Sequence, residues 1–151
     1  MLNLLHESKK EILIQYCQER FGIPKKIFKE YRFYEGNKNK IYLIKELLNL
    51  KIIPESSGLC IFRFDKTPKP TTNFLQLFSS NISKSILDID ELKLIDYCKG
   101  NDLEISHKST NIEPGFVAIR YNNNIIGCGH WNKIIVKNQL PKSRRCKINY
   151  C

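Results

Sequence analysis

Residues 116–129 read FVAIRYNNNIIGCG and contain the clearest secondary-structure signal in the chain. Apolar side chains alternate with more variable ones over residues 116–121, which is the period of a half-buried β-strand. Three asparagines follow at residues 122–124, and asparagine tolerates the positive φ that tight hairpin turns require. A second apolar run then ends in Gly-Cys-Gly. The stretch predicts a β-hairpin that turns at the asparagines.

Further short strand signals lie on both sides of this hairpin. Residues 97–105 look like a turn that leads into a strand, and residues 134–137 and 146–148 predict two more strands around a loop over 138–145. Several short strands without long helices between them are typical of a small mixed β-barrel. The second half of the chain is therefore expected to be rich in short strands.

The N-terminal part opens with helical patterns. Apolar residues at near-helical spacing predict a helix over residues 7–18, and Gly22 supplies a stop signal just beyond its end. Pro24 stands where a new helix can start, and the apolar residues that follow predict a short second helix over 25–31. We expect a two-helix opening.

Strand signals follow these helices. Aromatic and β-branched runs on both sides of a polar turn predict a hairpin over residues 32–44, which residues 47–50 either extend or break. Residues 58–64 predict another strand, and residues 66–70, with two prolines, predict a turn-rich break. Thr71 or Thr72 then caps a short helix that runs to residue 78.

The length allows one domain, or two small lobes that share a core, and leaves no room for a nucleotide-binding catalytic fold beside them. Of the 151 residues, 42% are hydrophobic and 11% aromatic, enough to bury a core at this size. The fold class is predicted to be α+β, with a small N-terminal α+β lobe at residues 1–70.

No apolar run approaches the 18 or more residues that a membrane span requires. The first ten residues become charged too early to supply the apolar region of a signal peptide. We therefore expect a soluble cytoplasmic protein that does not bind membranes.

The cysteines do not form a recognisable metal or disulfide pattern. Their spacings are wide, and the nearest pair, Cys146 and Cys151, lies at the end of the chain. Zinc sites usually contain a C-x2-4-C pair, with closely spaced ligands held on a folded segment. We expect mostly buried free thiols, no metal and no cofactor.

The net charge of +10 is concentrated near the C-terminus. Residues 132–151 contain six lysines and arginines and no carboxylate, whereas residues 86–105 have a net charge of −4. A concentrated cation cluster can neutralise several phosphates and release their counterions, which favours nucleic-acid binding. Apolar residues interleave with these cations, so we interpret most of the segment as folded, although a solubilising basic tail is the alternative.

The same segments resemble a known family. Residues 113–129 resemble the strand, turn and Gly-x-Gly of a PUA domain, a small pseudo-barrel found in RNA-modifying enzymes and ribosome-biogenesis factors. Residues 97–103, YCKGNDL, are similar to the opening of that domain. Residues 140–145, LPKSRR, resemble the ending of the C-terminal PUA-like region in archaeal RNA cytosine-5 methyltransferases of the Nop/Sun family. Residues 20–24, RFGIP, resemble part of a companion lobe found beside such domains.

This resemblance implies a PUA-like mixed β pseudo-barrel over residues 72–151 that binds RNA. The methyltransferases also have a Gly-rich cofactor loop and Pro-Cys and Thr-Cys catalytic motifs, and this sequence contains none of them. The resemblance therefore implies the RNA-binding accessory part without the catalytic domain. It would act in rRNA processing, tRNA modification or ribosome biogenesis, with a separately encoded methyltransferase or a pre-ribosomal particle as a partner.

In a PUA domain the basic ending lies beside the Gly-x-Gly hairpin, which makes the ending the first candidate for phosphate contacts. Arginine suits bidentate phosphate binding, and lysine adds a mobile point charge. Trp131 either stacks on an unpaired base or fills the core, and Asn138 either reads a base or ribose or holds a turn. The RNA-binding candidates are Lys133, Lys137, Lys142, Arg144, Arg145, Trp131 and Asn138, with Arg63 and Lys69 in the first lobe as a second choice.

Two other classes of function remain open on the sequence. A small RNA-acting enzyme is one, but paired carboxylates occur only in the acidic stretch over residues 88–104, which would repel RNA. A protein-interaction adaptor is the other, with the acidic stretch docking a basic partner while the basic ending contacts RNA. We expect a non-catalytic RNA-binding protein.

Overall fold

The computed structural model describes residues 2–45 and 58–146, which form two five-stranded sheets and three α-helices. The α-helices are α1 (Glu7–Phe21), α2 (Thr72–Leu77) and α3 (Glu91–Cys98). The strands of the first sheet are β1 (Asn3–Leu4), β2 (Tyr31–Glu35), β3 (Lys40–Lys45), β4 (Leu59–Phe64) and β5 (Pro68–Pro70). Those of the second are β6 (Ile86–Asp88), β7 (Leu103–Glu104), β8 (Gly115–Tyr121), β9 (Asn124–Trp131) and β10 (Ile135–Asn138).

Helix α1 begins and ends at the residues that its sequence specifies. The imidazole of His6 accepts a hydrogen bond from the Ser8 N–H at the N-terminus. Gly22, with a φ of 69°, adopts the left-handed conformation that closes the C-terminus and donates to the carbonyls of Cys17 and Gln18. The predicted helix is confirmed, and it continues three residues beyond the predicted end.

The predicted second helix is a 3₁₀ helix over Lys25–Glu30. Extended backbone at Pro24 precedes it, and strand β2 begins at Tyr31 directly after it. A six-residue segment between two extended segments is too short to form many i→i+4 hydrogen bonds. It therefore adopts the tighter 3₁₀ helix, whose bonds span only three residues.

The first sheet is antiparallel throughout, with the strand order β1-β2-β3-β4-β5. The predicted hairpin forms from β2 and β3, and the predicted strand over 58–64 is β4. The segment predicted as a break contains β5, since prolines are tolerated on an edge strand where no partner needs their N–H. Thr71 caps α2 through a bond from the Phe74 N–H, as predicted.

The second sheet has the order β6-β8-β9-β10-β7, with β6 parallel to β8 and every other pair antiparallel. It is curled into a half-barrel, which confirms the α+β class and the PUA-like pseudo-barrel. Strands β8 and β9 form the predicted hairpin, and Asn122 and Asn123 adopt positive φ values of 46° and 63° in its turn.

Three predicted segments differ from the structure or lie outside the described residues. Tyr97 and Cys98 are the last residues of α3, whose N-terminus is capped by Asp90, and are not part of a turn. Cys146 is not in a strand, and the rest of the strand predicted over residues 146–148 lies outside the described residues, as does the segment 47–50.

The two sheets share a hydrophobic core. Phe21 and Phe62 from the first lobe and Phe74 from α2 pack in one cluster with Ala118 and Cys128 from the second sheet. A second cluster lies on the other face of the second sheet, around Tyr97, Val117, Trp131 and Val136. Helix α2 contacts both β4 and β9, so the lobes meet along it. The proposed boundary between residues 70 and 72 stays a prediction.

None of the helices in the described ranges is both long enough and apolar enough to cross a membrane.

Candidate nucleic-acid interface

The basic C-terminal surface consists of Lys137, Lys142, Arg144 and Arg145, which strand β10 and the segment after it bring to one end of the second sheet. In β10, Val136 is fully buried and Lys137 is exposed, as alternation in a strand requires. Leu140 returns to the core, and residues 142–144 form a 3₁₀ helix that keeps the next cations at the surface.

Asn138 holds this segment in place. Its side-chain amide donates to the carbonyls of Tyr97 at 2.7 Å and Asn101 at 3.0 Å, and its Oδ1 accepts from the Leu140 N–H at 2.8 Å. Both amide hydrogens are therefore engaged inside the protein. This corrects the candidate role in reading a base, because Asn138 fixes the turn after β10 and positions its neighbours.

Arg145 lies against the turn that follows α3. Its Nε donates to the Leu140 carbonyl at 3.2 Å, and its side chain covers Gly100 so closely that a Cβ there would lie 2.5 Å from the Arg145 Cδ. The next residue, Cys146, donates its N–H to the Cys98 carbonyl at 2.7 Å. Arg145 is half-buried, so its side chain packs against the protein while its guanidinium keeps its positive charge.

Arg144 reaches across to helix α2. Its guanidinium donates to side-chain oxygens of Asn73 and Gln76 on α2, and both partners are neutral amides. The positive charge of Arg144 is therefore oriented and not neutralised. Lys137 and Lys142 are exposed, and their side chains make no hydrogen bond or ion pair with any other described residue. These two lysines are the most accessible charges of the basic C-terminal surface.

Trp131 is a core residue and not a stacking platform. Its side chain is 2% exposed, packs in the second hydrophobic cluster and donates its indole N–H to the Ile112 carbonyl at 3.0 Å. A base cannot reach its ring face without opening that cluster. The predicted base-stacking role is therefore corrected in favour of the core-filling alternative.

The Gly-x-Gly of β9 provides space for packing. A Cβ at Gly127 would lie 2.0 Å from the hydroxyl oxygen of Tyr97, and one at Gly129 would lie 2.3 Å from Val136 Cγ1. Neither glycine has a positive φ. The two glycines therefore let α3 and β10 approach the middle of the sheet, which brings the basic C-terminal surface beside the hairpin.

The remaining candidates lie elsewhere. Lys133, with a φ of 74°, sits in the turn before β10 and lines a small pocket with His107 and Glu113, away from the basic C-terminal surface. Arg63 and Lys69 are exposed on β4 and β5, where they are direct neighbours across the strands. Lys40 on β3 is the neighbour of Arg63 on the opposite side of β4 from Lys69, and it was not among the predicted RNA-binding residues. Its alternation with the buried Ile41 and Leu43 in the predicted hairpin could have indicated that it faces away from the core.

The acidic stretch over residues 88–104 has structural roles. Both carboxylate oxygens of Asp88 accept from Arg120, at 2.6 and 2.8 Å, which ties β6 to β8 and lowers the pKa of the Asp88 carboxyl. Asp90 caps α3, and Asp102 accepts from the Asn138 N–H at 2.9 Å. Three of its carboxylates thus contribute to the fold of the domain.

Two further findings concern the possible metal ligands and the buried thiols of the described ranges. No group of three or more His, Cys, Asp or Glu within the described ranges is placed to hold a metal ion. Burial raises the pKa of the Cys17 and Cys128 thiols well above the ordinary range, which keeps both protonated at neutral pH. A protonated buried thiol is a poor nucleophile.

Comparison with known proteins identifies a family for part of the chain. Residues 84–146 match the family model described as the methyltransferase RsmF PUA domain. No curated protein sequence matches the chain. The family match supports the expected resemblance to a PUA domain and indicates RNA binding in general. The archaeal Nop/Sun origin and the individual contact residues stay predictions.

Proposed function

We propose that this protein binds structured RNA through the basic C-terminal surface, because residues 84–146 match the family model of the RsmF methyltransferase PUA domain. In this proposal it acts without a catalytic centre of its own, in rRNA or tRNA modification or in ribosome biogenesis. Its partner would be a separately encoded RNA methyltransferase or a pre-ribosomal particle.

The observation that carries this proposal is the way the cations are held. Asn138, Arg144 and Arg145 anchor the segment after β10 to α3 and α2, and Lys137 and Lys142 project from it without partners among the described residues. A cation that is already fixed to a scaffold loses less conformational entropy when a phosphate binds than one on a mobile tail. The arrangement is therefore suited to a shaped phosphate backbone.

The acidic stretch supports this proposal over the adaptor alternative. The carboxylates of Asp88, Asp90 and Asp102 accept hydrogen bonds within the fold. They are therefore not all available to a basic partner protein. Asp102 also lies directly beside β10, where it helps to fix the strand that bears Lys137.

The test replaces the two unpartnered lysines. We expect Lys137→Gln/Lys142→Gln to weaken binding of a structured RNA, such as a tRNA transcript, roughly tenfold at moderate salt. The slope of log K against log salt should fall by roughly 0.7 to 0.9 for each phosphate that the variant no longer neutralises. Fluorescence anisotropy across a salt series measures both quantities, and thermal melting checks that the fold is unchanged.

The matched control is Lys25→Gln/Lys29→Gln, which removes the same charge from two exposed positions in the 3₁₀ helix of the first lobe. We expect this control to change affinity only slightly. Equal losses of affinity in the two variants would show that net charge alone controls binding, and no loss in either would remove the basic C-terminal surface from the RNA interface.

A further inference from the structure

The outer sheet face is the surface of the first sheet that carries Tyr34, Tyr42, Lys40, Arg63 and Lys69. Phe33, Ile41 and Leu43 point into the shared core from the opposite side of the same strands, and Phe62 and Phe64 do so from β4. Strand alternation therefore turns the five residues away from the core. None of them belongs to the matched PUA domain.

Three cations form a row across the outer sheet face. Lys40 on β3 pairs with Arg63 on β4, and Arg63 pairs with Lys69 on β5. Directly opposed residues have Cβ atoms about 4.5 to 5.5 Å apart, and like charges at this distance repel each other. None of the three side chains makes an ion pair or hydrogen bond with another described residue.

The charges of Lys40 and Arg63 also act on the same neighbouring group. Burial raises the pKa of the Cys60 thiol, and both cations oppose that rise. The row is thus an electrostatically unfavourable arrangement that a bound polyanion would relieve.

Two tyrosines lie beside this row. Tyr34 and Tyr42 are directly opposite each other on β2 and β3, and both are half-buried. The Tyr42 ring lies across Gly36, where a Cβ would be 2.9 Å from Tyr42 Cε2 and 3.0 Å from Leu2 Cδ2. Gly36 has an ordinary negative φ, so this glycine provides space for the ring and is not needed for the backbone conformation. The Tyr42 ring is therefore held in position by its neighbours.

We propose that the outer sheet face is a second RNA-binding surface, specific for single-stranded RNA, on which Tyr34 and Tyr42 stack bases while Lys40, Arg63 and Lys69 contact phosphates. Proteins that bind single strands combine a cationic track with aromatic rings, since every base has a face that can stack. An acidic protein would bind through the cations alone and would have no use for a pair of rings that can stack on bases.

This inference rests on the proposed function to the extent that both surfaces bind RNA, but it concerns a different part of the molecule. The inner face of the first sheet packs toward Ala118 and Cys128, so the outer sheet face points away from the second sheet. A structured RNA element bound to the basic C-terminal surface and a single-stranded RNA flank bound to the outer sheet face would thus lie on separate sides of the protein.

The experiment measures binding of a labelled 12-nucleotide oligouridylate and of an RNA hairpin to the full chain. We expect Lys40→Gln/Arg63→Gln/Lys69→Gln to weaken oligouridylate binding about tenfold and to change hairpin binding much less. Tyr34→Leu/Tyr42→Leu, which keeps apolar contact but removes the rings, should weaken oligouridylate binding at least fivefold. The matched control is Lys25→Gln/Lys26→Gln/Lys29→Gln, which lowers the net charge equally.

Each result supports or overturns the inference. Equal losses of affinity in the control and the outer-face variant would show a general charge effect and overturn it. If substitution of Lys137 and Lys142 weakens hairpin binding but the outer-face variants leave oligouridylate affinity unchanged, this inference fails and the proposed function stands. If neither RNA binds the wild-type chain, the proposed function fails as well.

Two further measurements keep the test decisive. If the outer-face variants bind oligouridylate normally but lose binding to polyglutamate or to anionic vesicles, the surface serves another class of partner and the inference is overturned. If a variant does not fold, photocrosslinking of 4-thiouridine oligonucleotide to the wild-type chain replaces it. Crosslinks on the peptides that contain Tyr34 or Tyr42 support the inference, and crosslinks confined to other peptides overturn it.

Discussion

The contact between Gly127 and Tyr97 shows how single side chains position the candidate interface. Tyr97 is completely buried, and its hydroxyl donates to the Cys128 carbonyl at 2.8 Å directly above the space that Gly127 leaves. Burial raises the pKa of the Tyr97 phenol, so the ring stays neutral and keeps this hydrogen bond across the physiological pH range. Helix α3 is thereby fixed to the middle of β9.

A double-mutant cycle tests this contact. Gly127→Ala should destabilise the protein by about 2 to 4 kcal/mol, because the added Cβ overlaps the Tyr97 hydroxyl and ring. Tyr97→Phe removes the hydroxyl and should cost about 1 to 2 kcal/mol. The double variant should be destabilised by less than the sum, since the phenylalanine relieves part of the overlap. Urea unfolding of the four proteins measures the coupling, and strict additivity would contradict the proposed contact.

The segment after β10 shows how one element depends on another. Carbonyl groups at the C-terminal end of α3 need partners outside the helix, and the segment supplies them through the Asn138 amide and the Cys146 N–H. In return the helix end fixes residues 140–146, whose sequence has few strand or helix signals. The position of the phosphate-binding candidates is thus set by α3.

Asn138→Ala provides the test at this level. The change leaves the Tyr97 and Asn101 carbonyls and the Leu140 N–H without their side-chain partner, which should cost about 1 to 3 kcal/mol. Amide hydrogen exchange should accelerate in residues 139–146 more than in the β8–β9 hairpin.

The control for this prediction is Lys137→Ala, which removes the neighbouring exposed side chain and leaves the hydrogen bonds of Asn138 intact. We expect that variant to bind RNA more weakly without faster exchange. Unchanged exchange in Asn138→Ala, together with weaker RNA binding, would instead restore a direct contact role for Asn138.

The two lobes depend on each other through the shared core and one long side chain. Arg20, near the end of α1, donates through Nε to the Phe116 carbonyl at 2.6 Å and through its terminal nitrogen to the Glu113 carbonyl at 2.9 Å. Ala118 and Cys128 are fully buried in the same cluster as Cys17 and Phe21 of α1. The second sheet therefore has an apolar face that the first lobe covers.

This dependence predicts cooperative unfolding of the whole chain. A fragment of residues 72–151 exposes the face around Ala118 and Cys128, and we expect it to unfold at a much lower urea concentration than the full chain. In the full chain, fluorescence of Trp131 and far-UV circular dichroism should report the same transition. A fragment as stable as the full chain would instead show that residues 72–151 form an independent domain.

Local signals were sufficient for much of the fold. The strand period around Val117, the asparagine turn, the Gly22 stop and the Thr71 cap each depend on contacts within a few residues, and each prediction was confirmed. The prediction for residues 25–31 missed the 3₁₀ form, and that for residues 97–98 missed the end of α3. Neighbouring elements determine both features, and the local sequence contains little signal for either.

The candidate site was predicted less completely. The sequence located the cations of residues 137–145, because charge and motif are properties of the chain. It left Trp131 and Asn138 undecided between contact and structural roles, since burial and hydrogen-bond partners depend on residues distant in sequence. It also missed Lys40, which joins Arg63 and Lys69 only through the pairing of three strands.

The sequence was therefore enough to specify a basic α+β protein with a hairpin at residues 116–129 and a C-terminal half that resembles a PUA domain. Only the tertiary structure decided which cations are oriented, which aromatic residues are buried and which side chains form a common surface. The physical reason is that periodicity, turns and charge depend on neighbouring residues in the chain. Strand register and the space left at Gly36, Gly100 and Gly127 arise when distant segments pack together.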